Sequence, residues 1–67
     1  MISIQLNGET YSVSPATTLA QLVDQLALSQ KRIAVELNGA IISRSQHAQT
    51  LLRAADKIEI VTAIGGG

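Results

Sequence analysis

The sequence predicts an α+β fold, a mixed sheet of about five strands packed on one main helix. Three observations carry that prediction. First, the dipeptides Asn7-Gly8 and Asn38-Gly39 each join a pair of alternating apolar and polar segments, as hairpin turns do. Second, one stretch between Thr18 and Leu28 repeats apolar residues at helical spacing. Third, a further alternating segment, 58–64, places Ile58, Ile60 and Ile64 on one face.

Residues 2–6 put Ile2, Ile4 and Leu6 on one face and Ser3 and Gln5 on the other. Asn7-Gly8 suits a type I′ turn, whose two central residues need positive φ. Residues 9–13 then return as a second strand. A two-residue loop sets Ile4 opposite Tyr11, Ile2 opposite Val13, Ser3 opposite Ser12 and Gln5 opposite Thr10. Apolar meets apolar and polar meets polar, except where Leu6 faces Glu9 at the turn. Pro15 ends the strand because it has no N–H for the ladder.

Thr18-Leu19-Ala20-Gln21 reads as a capping box. Leu19, Leu22, Val23 and Leu26 follow on one helical face, and the helix is expected to run to about Leu28. Residues 32–37 alternate again, with Ile33, Val35 and Leu37 on one face. Asn38-Gly39 turns the chain into a short return strand, 40–43. Ser45 is placed to cap a brief helical or 3₁₀ segment through Gln49, after which Leu51 and Leu52 are expected to tuck inward. Residues 54–57 form a turn before the last strand. The first and last strands are expected to pair in parallel at the centre, a β-grasp arrangement. The domain reading is one β-grasp domain over 1–64, followed by a flexible Gly tail, 65–67.

Composition narrows the function. Five basic side chains balance five acidic ones in 67 residues, with no run of like charge. Tyr11 is the only aromatic residue. Nucleic-acid binding would call for a basic stripe and stacking aromatics, so it is not expected. Cysteine is absent, which excludes a disulfide framework, thiolate metal sites and a cysteine nucleophile. No metal site is expected. No apolar run approaches the ~20 residues of a membrane helix, and the start lacks the pattern of a signal peptide. A cytoplasmic protein with no membrane partner is the expectation. Lys31, Arg32 and Glu36, read as lying near an edge strand, are expected to discourage self-pairing.

No catalytic constellation appears within the chain, and no catalytic residue is assigned. His47 lies in a polar segment without an orienting acid or a nucleophile, so a solvated surface side chain is expected. Gly65-Gly66-Gly67 is the exception. Three glycines will not order on their own, and fully extended they reach about 10 Å. A tail without Cβ atoms can enter a channel that any side chain would block. Its tip, read as the chain end, is a carboxylate, which is ionised at neutral pH and a poor electrophile. ATP-dependent adenylation would activate it. The pattern suits a protein that is itself a substrate, a folded handle with a thin reactive tip, rather than an enzyme.

The residues Ile2-Ser3-Ile4-Gln5-Leu6-Asn7-Gly8, Val35-Glu36-Leu37-Asn38-Gly39, Asp56-Lys57-Ile58-Glu59-Ile60-Val61 and Ala63-Ile64-Gly65-Gly66-Gly67 carry a family resemblance. Over essentially its whole length the chain resembles ThiS, the sulfur carriers of thiamine (thiazole) biosynthesis, within the ThiS/MoaD group of ubiquitin-like β-grasp proteins. The resemblance implies a C-terminal Gly carboxylate adenylated by a ThiF-like enzyme using ATP and Mg²⁺. A cysteine-derived sulfur from a sulfur-donor enzyme then gives a thiocarboxylate, and a ThiG-like thiazole synthase takes up the sulfur. Carried over, Gly67 is the thiocarboxylated residue, and Gly65, Gly66 and Gly67 enter the partner's active site. No cofactor is bound by the chain itself. Val61 and Ala63, on the face opposite Ile58, Ile60 and Ile64, are the expected partner surface. The alternatives are a MoaD-like small subunit of molybdopterin synthase, which shares the tail chemistry, and a noncovalent ubiquitin-like binding module whose tail does nothing.

Overall fold

The computed structural model describes residues 1–62. Among them the order is β1 (Ile2–Leu6), β2 (Glu9–Val13), α1 (Leu19–Gln25), β3 (Ile33–Leu37), β4 (Ala40–Ile42), a 3₁₀ segment (Arg44–Gln49) and β5 (Lys57–Thr62). The sheet order is β2-β1-β5-β3-β4. β5 runs parallel to β1 and antiparallel to β3, so the expected β-grasp arrangement is present. The inferred continuation of the last strand to Ile64, the inward side of Ile64, Ala63 and the Gly tail all lie outside the described residues.

The turn chemistry sets the hairpins. Asn7 and Gly8 have φ of 51° and 85°, and Asn38 and Gly39 have 52° and 87°. Asparagine and glycine tolerate this left-handed region best, so a tight type I′ turn forms where they stand together. The first hairpin has the register expected from a two-residue loop: Ile2 faces Val13, Ile4 faces Tyr11 and Leu6 faces Glu9. In the second, Leu37 faces Ala40, Glu36 faces Ile41 and Val35 faces Ile42.

One face of the sheet is closed by α1. Ile4, Val13, Val35, Ile58 and Ile60 from the strands bury against Leu19, Leu22 and Val23 of the helix, and Leu52 completes the cluster. Each such side chain contributes about 1.5–3 kcal/mol by leaving water. At the helix start the capping box is complete. The Gln21 N–H donates to the Thr18 hydroxyl (3.1 Å), and the Thr18 N–H donates to the Gln21 side chain (2.9 Å).

The helix ends at Gln25, three residues before the expected Leu28. The cause is a left-handed cap: Ala27 has φ 60°. The Leu28 N–H donates to the Val23 carbonyl and the Ala27 N–H to the Asp24 carbonyl, each at 3.0 Å, which satisfies two carbonyls of the last turn. Leu26 and Leu28, on either side, both pack on the core. Alanine pays for this conformation with Cβ strain that glycine avoids. Ala27→Gly is therefore expected to raise stability by about 0.5–1 kcal/mol in urea denaturation, after the entropy that glycine loses on folding is deducted.

Three other expectations need correction. Ser45 does not cap the 3₁₀ segment, which begins at Arg44 after Ser43 and has no side-chain cap. Leu52 is buried but Leu51 is 54% exposed. A local antiparallel bridge pairs Leu51 with Thr18, and extended backbone sends neighbouring side chains to opposite sides. His47 is 6% exposed, not solvated. The 3₁₀ segment holds no large apolar residue to turn inward, and His47 fills that place. Its Nε2 donates to the Ile42 carbonyl at 3.1 Å, which satisfies the ring inside the fold. The expected placement of Glu36 near an edge strand holds: it lies on β3 and pairs with Ile41 of the edge strand β4.

Candidate functional site

The route to the glycines runs along β5. This strand is held on both sides, by β1 and by β3, so its direction is fixed by two hydrogen-bonded neighbours. Backbone N–H groups of Gln5 and Asn7 donate to the Asp56 and Ile58 carbonyls at 2.8 and 2.9 Å. On the other side the Asn38 N–H donates to the Lys57 carbonyl at 2.8 Å.

The two turn asparagines add a second layer of fixation. Asn7 Oδ1 accepts from the Ile60 N–H at 2.8 Å, and Asn38 Oδ1 accepts from the Lys57 N–H at 2.9 Å. Asn38 Nδ2 also donates to Asp56 Oδ1 at 3.1 Å. Asp56 in turn accepts from the Arg53 N–H through Oδ2 at 2.8 Å, closing the turn that starts β5. The sequence reading used these asparagines only for their backbone. Nothing local marks their side chains as straps, because the strand they hold is far along the chain.

The outer face of the sheet carries two exposed large apolar residues, Val61 and Ile41. Val61 is 64% exposed, on the side expected for a partner surface, and faces Ala34 across the β3–β5 pair. Ile41 is 66% exposed and faces Glu36 on the same outer side. The sequence reading missed Ile41, although the two-residue loop places it opposite Glu36 and so on the outer face. Glu36 and Glu59 face each other directly on β3 and β5. Of the site residues read from the sequence, Val61 is thus placed, while Ala63, Gly65, Gly66 and Gly67 are not among those described. Among the described residues, no group of three or more His, Asp or Glu side chains is arranged to hold a metal ion. Nor is any helix among them long and apolar enough to cross a membrane.

The sequence match extends where the described geometry stops. The model of the ThiS family matches residues 4–67. The chain belongs to the ThiS family.

Solved structures agree with this ThiS assignment. The crystal structure of the thiamine biosynthesis protein (ThiS) from Geobacter metallireducens superposes with a TM-score of 0.83 at 26% identity, covering 98% of this chain and 100% of that one. The fold is therefore the ubiquitin-like β-grasp of ThiS proteins, and family membership supports a sulfur-carrier role. Among sequence relatives, the uncharacterized protein ycf40 of Pyropia yezoensis is 39% identical over 98% of this chain and 93% of its own length. A thiazole synthase of Magnetococcus marinus is also 39% identical over 98% of this chain, which spans only 20% of that longer protein. A second thiazole synthase, from Paramagnetospirillum magneticum, shows the same relation at 36% identity.

Proposed function

We propose that this ThiS-family chain carries sulfur as a thiocarboxylate on Gly67. The observation that carries the reading is a family match that runs through Gly65-Gly66-Gly67 to residue 67. A ThiF-like enzyme, with ATP and Mg²⁺, adenylates the Gly67 carboxylate and releases pyrophosphate. Hydrosulfide delivered by a sulfur-donor enzyme then attacks the acyl carbon, a C–S bond forms as the C–O bond to AMP breaks, and the thiocarboxylate remains. The chain itself binds no cofactor and supplies no catalytic group; it offers a rigid handle and a narrow tail. A ThiG-like thiazole synthase is the proposed acceptor in thiamine biosynthesis. In two relatives named thiazole synthase, a segment like this chain shares one polypeptide with a much longer remainder, which supports that pairing.

The test is an intact mass measured after incubation with ATP, Mg²⁺, a ThiF-like enzyme, a cysteine desulfurase and cysteine. One oxygen replaced by one sulfur at Gly67 is the expected result. No change beside an active enzyme control would overturn the reading as a carrier charged by a ThiF-like enzyme and leave the MoaD-like subunit and the noncovalent binding module.

The outer face around Val61, together with Ala63 as the sequence alternation expects, is the proposed docking surface for the adenylating enzyme. Val61→Asp puts a charge into that contact, and a buried, unpaired carboxylate is strongly disfavoured. Affinity for the enzyme is expected to fall at least about tenfold, equivalent to 1.4 kcal/mol. Because Val61 is solvent-exposed, thermal unfolding should move little. Unchanged binding in a titration would remove Val61 from the surface.

A further inference from the structure

We propose that Asn38 is a spontaneous modification site, whose deamidation sets a carboxylate against Asp56 and loosens the anchor of β5. Asparagine is among the thermolabile residues, and a following glycine offers no Cβ to hinder attack by its nitrogen. Gly39 N bonds to Asn38 Cγ, the Cγ–Nδ2 bond breaks, and ammonia departs with the Gly39 amide proton. Water then opens the resulting succinimide at either carbonyl, giving aspartate or isoaspartate. Asn38 and Gly39 are both exposed, and open space surrounds the position of a Cβ at Gly39, so water reaches the ring.

Both Asn-Gly turns share this chemistry, but their side chains are wired differently. Asn7 Oδ1 is an acceptor for the Ile60 N–H, and a carboxylate oxygen would accept the same bond. Asn38 uses both ends of its amide. Its Oδ1 accepts from the Lys57 N–H, while its Nδ2 donates to Asp56 Oδ1 at 3.1 Å. A carboxylate keeps the first bond and turns the second into oxygen against oxygen, two like charges at contact distance. The surrounding hollow is lined by Glu36, Lys57 and Glu59, so with Asp56 it already sets three carboxylates beside one ammonium. The turn is also the easier one to open. β4 has three residues at the sheet edge, whereas the 7–8 turn lies between two five-residue strands. Opening matters, because the hydrogen-bonded native side chain must swing free before Gly39 N can reach Cγ.

Two measurements test the proposal. The wild-type protein is aged in warm, mildly alkaline buffer beside the same chain in denaturant, and both are mapped by peptide mass and isoaspartate content. Conversion is expected at position 38 ahead of position 7 in the folded protein. No conversion at 38 in folded protein, over a time in which the denatured chain converts fully, would overturn the proposal. In parallel, thermal unfolding is compared for Asn38→Asp, Asn7→Asp and the double variant Asn38→Asp/Asp56→Asn. Asn38→Asp is expected to melt about 5 °C below wild type, the scale of one lost interaction in a domain this small. Asn7→Asp should shift much less. The double variant restores a donor–acceptor pair with the roles exchanged and should recover most of the loss. Asn38→Asp melting with wild type, or a loss that the double variant leaves unrepaired, would also overturn the proposal.

Discussion

A chain extended by one residue beyond Gly67 is expected to gain no sulfur when incubated with the activating and sulfur-donor enzymes. The extension moves the carboxylate by up to ~3.5 Å, the span of one extended residue. A misplacement of about 1 Å at a reacting centre already costs about 10²-fold in rate. If the added residue is glycine, the tail stays as thin as before and only the position of the carboxylate changes. If it is leucine, a side chain is added to the displacement. Equal loss in both variants assigns the effect to position, and a greater loss with leucine assigns part of it to the width of the partner's channel. Both variants should unfold at the wild-type temperature, because the added residue follows Gly67 and replaces none of the side chains of the described core. Sulfur uptake by the glycine-extended chain at the wild-type rate would exclude Gly67 as the modified residue.

Leu22→Ala is expected to remove a large share of the total stability. Leu22 is 0% exposed, at the centre of the face that α1 presents to the sheet. Truncating a buried leucine costs about 2–5 kcal/mol, since the cavity adds to the lost transfer energy. A 67-residue domain has only about 3–10 kcal/mol to lose. Urea denaturation should show a much lower midpoint or a partly unfolded baseline before denaturant is added. The capping box and the straps on β5 do not offset this loss, because none of them fills the space. A midpoint within about 0.5 kcal/mol of wild type, the usual range for surface changes, would mean that α1 is not the cover of the sheet.

Much of the fold was legible because its signals are local. Each Asn-Gly fixes a two-residue loop, the loop fixes the register, and the register decides which side chains share a face. The capping box and the Leu19, Leu22, Val23 spacing likewise follow from neighbours along the chain. The misses arose where tertiary context decides. A helix end at Ala27 was not expected because alanine is the best helix former, yet packing of Leu26 and Leu28 bends the chain there. His47 read as polar surface because nothing nearby is apolar, yet it is the residue that its segment turns inward. Leu51 and Leu52 could not be told apart before their bridge to Thr18 was known. Of the candidate site, the exposure of Val61 followed from alternation, and the asparagine straps did not, since Asn7 and Ile60 are 53 residues apart.

The position of β5 has a consequence for how the molecule forms. β1 with β2, and β3 with β4, are hairpins that can assemble from short-range contacts. Neither touches the other in the sheet until β5 lies between them. During synthesis the two hairpins therefore wait, each with an unpaired inner edge, for residues 57–62 to arrive. Pairing across such a long loop is slow, and unpaired edges are the usual route to aggregation. A chain cut before Lys57 would keep two hairpins and a helix but lose the keystone, and its fate would be proteolysis or clumping rather than a smaller folded protein. The strand that leads to the glycines is thus also the one that completes the sheet.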